Sequence, residues 1–165
     1  FLIWIGSVFY YIKIFFYTRK KSNNTMTLLE QARAFRAAYN QEMLDGFTKF
    51  GFIKRKLWSM QLELIEEEGA EFLEAVDEYE DAPMDPYKAT DVLKELADLV
   101  FVCYQFAAAF NLDLDEAMNR IFESNMSKLD EDGKPIYRDD GKVLKGPNYK
   151  APSLSDLVKL NSEVK

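Results

Sequence analysis

The chain has 165 residues, 48% hydrophobic and 30% charged, with only seven glycines, a formal charge of −7, one cysteine and no histidine. That length supports one domain with a real core, and the missing histidine excludes Ser-His-Asp and Cys-His catalysis, His-ligated zinc and carboxylate–histidine di-iron sites. Residues 1–25 contribute +4 and no acid, so the rest carries −11, a poor binder of phosphate backbones and one that, if it handles nucleotides, would meet them through cations.

Residues 1–17, FLIWIGSVFYYIKIFFY, are apolar except for Lys13, and TRKK follows. The run has the form of a short membrane anchor with a positive cytoplasmic flank. Its length is marginal for a span, nearly half of it is aromatic, and Met26 precedes a clean domain start, TLLEQARAF. We therefore set 1–25 apart as an apolar and basic extension, with a non-native reading-frame extension favoured over an anchor. Residues 26–165 form the domain, expected in the cytoplasm, or tethered on its cytoplasmic side if the anchor is real.

Thr27-Leu-Leu-Glu30 has the capping-box form and opens a first helix over about 27–40, with Leu28, Ala32, Phe35 and Ala38 on one stripe. Residues 41–55 read as a loop broken by Gly46 and Gly51. A second helix runs from about Lys56 to Glu80, with Leu57, Gln61, Leu64, Glu68 and Glu71 on one stripe and Leu62, Ile65, Phe72 and Val76 beside it. Pro83 and Pro86 end it, and Asp85-Pro86 caps a third helix over about 86–110. That helix carries Leu93, Leu96, Val100, Tyr104 and Ala107. Its second half, LVFVCYQFAAAF, is apolar nearly all round and must be buried in the core or in a subunit interface. Cys103 sits in this run and reads as a buried small hydrophobe. Asp113 and Glu116 form a second capping-box pattern, opening a fourth helix with Ala117, Ile121, Asn125 and Lys128. Beyond Leu129, two extended runs around Asp140-Gly141 predict a small β-hairpin, and Ser153 is expected to cap a short terminal helix.

Chemistry concentrates in two acidic stretches, EEEGAEF at 66–72 and KELADLV at 94–100. Glu68 and Glu71 share one helix face, as do Glu95 and Asp98, each pair about 4.5 Å apart along its axis. An ExxE or ExxD pattern alone usually marks a solvated face. Two such pairs on adjacent helices, each flanked by bulky apolar residues, stand evenly between a solvated face and a cation site. Oxygen ligands without nitrogen or sulfur favour Mg²⁺ or Mn²⁺. Glu67, four residues before Glu71, leans toward the same face and is the candidate general base; Glu63 is a weaker one. Trp58 and Gln61, two to three turns earlier, form a candidate base pocket, with Trp58 as core packing the competing reading.

EEGAEFLEAV at 67–76 followed by ELADLVF at 95–101 resembles the EExxE…ExxD signature of the all-α nucleoside triphosphate pyrophosphohydrolases. That superfamily includes MazG, dimeric dUTPases, dCTP pyrophosphatases and phosphoribosyl-ATP pyrophosphohydrolase. The tail SNMSKLDEDGKPIYRDDGKVLKGPNY at 124–149 is similar to the C-terminal part of MazG-like, phosphoribosyl-ATP-pyrophosphohydrolase-like proteins, so the resemblance spans about 26–152. It implies an all-α, MazG-like bundle of four main helices, here with the small hairpin and short terminal helix. It further implies that Glu68, Glu71, Glu95 and Asp98 bind Mg²⁺, with Glu67 adjacent. By the same resemblance Asn125 and Lys128 meet the phosphates, while Lys145 and Tyr149 close over the nucleotide. A helix C-terminal cation is the equal alternative for Lys128. The implied reaction gives a nucleoside monophosphate and pyrophosphate from a dNTP or NTP. Phosphoribosyl-ATP as substrate is the main alternative, and a non-catalytic interaction protein of the same fold is the rival from another class. A homodimer or homotetramer is expected.

Overall fold

A computed structural model describes residues 25–48 and 52–161. Helix α1, Leu28–Ala38, starts at the expected capping box. The Thr27 hydroxyl accepts from the Glu30 amide at 3.2 Å, and the Thr27 amide donates to the Glu30 carboxylate at 2.8 Å. A two-residue strand β1, Phe47–Thr48, precedes helix α2, Phe52–Asp81. Helix α3, Pro86–Ala109, opens with Asp85 accepting from the Tyr87 amide at 2.8 Å and Pro86 in its first turn. Helix α4, Leu114–Met126, is capped by Asp113, which accepts from the Glu116 amide at 3.1 Å. The second half of that capping box is absent, because the Glu116 carboxylate pairs with Arg120 one turn on, at 2.9 Å.

Helices α2 and α3 form the long hairpin that dominates the fold, and α1 packs on α3. The core sits at one end of this hairpin. Leu29 and Ala32 of α1 meet Tyr104, Ala107 and Ala108 of α3. Beside them Leu57, Ala109 and Phe110 pack with Trp58, Phe47 and Phe106. Most of the apolar second half of α3 is thus buried within one chain, the first of the two places its pattern allowed. Toward the other end of the hairpin, Leu73, Leu93, Leu96 and Val100 are exposed.

A buried polar group sits in this core. Arg36 is 0% exposed, and its guanidinium donates to the Gln61 side-chain oxygen at 3.3 Å and, through Nε, to the Glu42 carbonyl at 3.2 Å. Burial holds Arg36 below its ordinary pKa, with the Glu42 charge opposing.

Two C-terminal expectations are corrected. The hairpin around Asp140-Gly141 does not form strands. The chain turns there, with Gly141 at φ +83° and the Leu144 amide donating to the Ile136 carbonyl at 2.7 Å, but Tyr137 and Val143 make only a single antiparallel bridge. Flanking residues are nearly all exposed, so the arms have no face to bury, and an unsupported two-stranded ribbon is marginal in water. The terminal helix is reduced to one 3₁₀ turn, Ser155–Leu157, whose preceding residue is Leu154 with no side-chain cap. The chain instead returns as strand β2, Leu160–Asn161, parallel to β1, with Phe47 opposite Leu160. Gly46, at φ +98°, permits this approach: a Cβ there would lie 2.7 Å from the Lys159 carbonyl oxygen. The apolar stretch 1–17 lies outside the described residues.

Candidate metal centre

The antiparallel α2–α3 hairpin brings the two acidic stretches together. One carboxylate oxygen each from Glu68, Glu71 and Glu95 lie within 4.8 Å of one another. Two come from one helix and one from its partner, so the hairpin itself builds the cluster. Two oxygens on one Mg²⁺, each about 2.1 Å from it, stand at most roughly 4.2 Å apart. The three oxygens converge to within 4.8 Å, close to that limit, so the donor set fits a hard cation.

Glu68 and Glu95 are half-buried and Glu71 is exposed. Burial raises the Glu68 pKa above its ordinary value, and the charges of Glu71, Asp98 and Glu95 raise it further; Lys94 acts the other way. Glu68 therefore feels the charge of each of the other three expected acids. Asp98 stands outside the close trio, held by the Lys94 ammonium at 3.0 Å. The same ammonium pairs with Glu95 at 2.8 Å, and both pairs hold the Lys94 pKa well above its usual value. Lys94 is a feature that residue spacing did not single out, because a lysine four residues before an aspartate reads as an ordinary surface pair. Glu67 and Glu63 are exposed on α2 and outside the trio.

Asn125, Lys128, Lys145 and Tyr149 form a second group, at the end of α4. The Lys128 ammonium donates to the Asn125 side-chain oxygen at 2.7 Å. The Gly146 amide donates to the Lys128 carbonyl at 2.8 Å, and the Lys145 ammonium lies 4.2 Å above the Tyr149 ring. Their carrier α4 packs through Leu114 against the core cluster of α1 and α3, so this cationic group and the acid cluster stand on different elements.

Trp58 and Gln61 have other partners than the proposed base. Trp58 packs against Phe47, Phe106 and Phe110 at centroid distances of 5.8, 5.2 and 5.1 Å. Gln61 is 2% exposed, and its side-chain oxygen accepts from Arg36. Gln61 has no exposed edge with which to read a base, and Trp58, half-buried, packs against the core cluster. The missed signal was Arg36, whose charge in an apolar stripe demands buried acceptors.

No curated protein matches the chain. Residues 50–125, from the start of α2 through most of α4, match the model of the phosphoribosyl-ATP pyrophosphohydrolase family, a family of pyrophosphohydrolases, which supports a hydrolase. The helices that carry the acid cluster thus lie in the stretch that is similar to this family, one of the MazG-like helical superfamily.

Proposed function

We propose that the protein hydrolyses a nucleoside triphosphate, a dNTP or NTP, to the nucleoside monophosphate and pyrophosphate, using Mg²⁺ (or Mn²⁺) held by Glu68, Glu71, Glu95 and Asp98. The observation that carries this reading is the convergence of three carboxylates from two helices within 4.8 Å. Like charges so placed repel unless a cation compensates them. The ion would supply charge neutralisation at the phosphates. Glu67, next to Glu68 on α2 and solvent-facing, accepts the proton of the attacking water. The water oxygen bonds to the α-phosphorus while the bond to the α–β bridging oxygen breaks, its electron pair leaving on pyrophosphate. Asn125 and Lys128 offer an amide and a point charge to phosphate oxygens, with Lys145 and Tyr149 beside them.

A second reading has phosphoribosyl-ATP as the substrate, and the description of the matched family favours it. Both predict pyrophosphate release that depends on a divalent ion. The test is a panel of NTPs, dNTPs and phosphoribosyl-ATP, each with and without Mg²⁺, read as pyrophosphate. Fastest turnover of a common triphosphate supports the first reading, and fastest turnover of phosphoribosyl-ATP supports the second. No release from any substrate overturns both in favour of a non-catalytic protein of this fold.

The working form in this reading is a homodimer or homotetramer in the cytoplasm that does not bind nucleic acid polymers. The acidic body and the exposed Leu73, Leu93 and Phe122 support it. No helix among the described residues is long and apolar enough to cross a membrane. A membrane tie through residues 1–25 is decided by fractionating cells that express the chain from its native start.

A further inference from the structure

The acid cluster has a cation of its own. The Lys94 ammonium contacts both oxygens of Glu95, at 2.8 and 3.0 Å, and Asp98 Oδ2 at 3.0 Å. Glu95 is at the same time one of the three acids whose oxygens converge between the helices. Lys94 and a divalent ion therefore draw on the same carboxylate. Asp98, the fourth acid, stands outside the trio with Oδ2 on Lys94, so an ion that draws it in weakens that pair. Among the described residues no other ion pair involves these four acids.

We propose that Lys94 is a positioning residue that competes with the divalent cation for Glu95 and Asp98 and so sets the cation affinity. The inference rests on the cation reading of the cluster given above. Its geometry is suited to exchange rather than to permanent pairing. The Lys94 side chain is 60% exposed, whereas that of Glu95 is 16% exposed. The ammonium can therefore swing into water on its flexible stem while Glu95 stays in place. Pairs made by an exposed ammonium are weak, so a doubly charged ion outcompetes them, but with reduced affinity. The alternative is a helix-surface pair without consequence for the cluster, and it predicts no change in cation binding when the charge is removed.

The test is Mn²⁺ binding to the full chain without nucleotide, by titration calorimetry or by electron paramagnetic resonance of free Mn²⁺. Lys94→Met keeps the side-chain bulk and removes the charge; Lys94→Arg keeps the charge. Lys94→Met is expected to bind Mn²⁺ roughly three- to thirty-fold more tightly than wild type, the range set by two or three exposed ionic contacts. Lys94→Arg should stay within about threefold of wild type on the same grounds. Unchanged or weaker binding by Lys94→Met, or the same tightening in Lys94→Arg, overturns the role of Lys94 while leaving the cation site intact. Failure of wild type and Lys94→Met alike to bind Mn²⁺ overturns the cation reading and this inference with it.

Discussion

At the scale of single residues, the cluster depends on charge at fixed positions. Glu68 and Asp98 differ in setting: Glu68 is at the centre of the acids, and Asp98 is at their edge on Lys94. Glu68→Gln and Asp98→Asn keep shape and hydrogen-bonding capacity while removing a ligand charge. Both should reduce pyrophosphate release at least about a hundredfold, as loss of a metal ligand or its orientation does, with helical circular dichroism unchanged. Turnover near wild type in either variant would remove that residue from the site. The two acid pairs were legible in the sequence, because an i, i+3 spacing on a helix fixes a shared face whatever the tertiary packing; that Asp98 stands outside the other three was not. The partners of Gln61 and Trp58 were not legible by the same means. A stripe says which residues share a face but not what lies opposite. Here Arg36, from a helix 25 residues earlier, decides that Gln61 serves the core.

Elements with many residues per period, and with caps, were readable; those held by one or two contacts were not. The four helices start at Thr27, Asp85 and Asp113 caps or continue an apolar stripe, and each signal is local. The pairing of β1 with β2 joins two-residue strands more than a hundred positions apart, too short to leave an alternation. The tail is likewise held by particular contacts. A Cβ at Gly146 would lie 2.4 Å from the Leu129 carbonyl oxygen and 2.6 Å from that of Lys128. Backbone oxygens cannot give way as a flexible side-chain end can. Gly146→Ala should therefore push the 146–149 turn off the end of α4, breaking the bond from the Gly146 amide to the Lys128 carbonyl. The expected cost is about 1–3 kcal/mol, read as a drop of a few degrees in Tm for a domain of this size. Mn²⁺ binding should stay near wild type, because the acids lie on α2 and α3. An unchanged Tm would mean that the turn is held elsewhere, and lost Mn²⁺ binding would tie the tail to the metal site.

For the whole molecule, the distribution of apolar surface is the decisive quantity. One chain buries most of the crowded second half of α3, yet leaves Leu73, Leu93 and Phe122 at 62%, 67% and 64% exposure. Leu96 and Val100 continue the Leu93 face along α3, and Met118 and Met126 lie one turn either side of Phe122 on α4. Singly exposed leucines are ordinary; two helical stripes of large apolar side chains are the pattern of surfaces that associate. A charge placed in such a stripe must be desolvated when copies pack, at a cost of several kcal/mol, whereas in a free monomer it is solvated and nearly neutral. Light scattering on the size-exclusion peak should give wild type a mass at least twice the 19.2 kDa of the chain. Leu93→Glu should lower it toward the monomer without loss of helical signal. A monomeric wild type would refute assembly, and an assembled Leu93→Glu variant would move the interface off the α3 stripe and onto α4. Because Leu93 lies one residue before Lys94 and two before Glu95, assembly through this stripe would also set the polarity around the acid cluster. Dissociation by Leu93→Glu should then change the Mn²⁺ affinity as well as the mass.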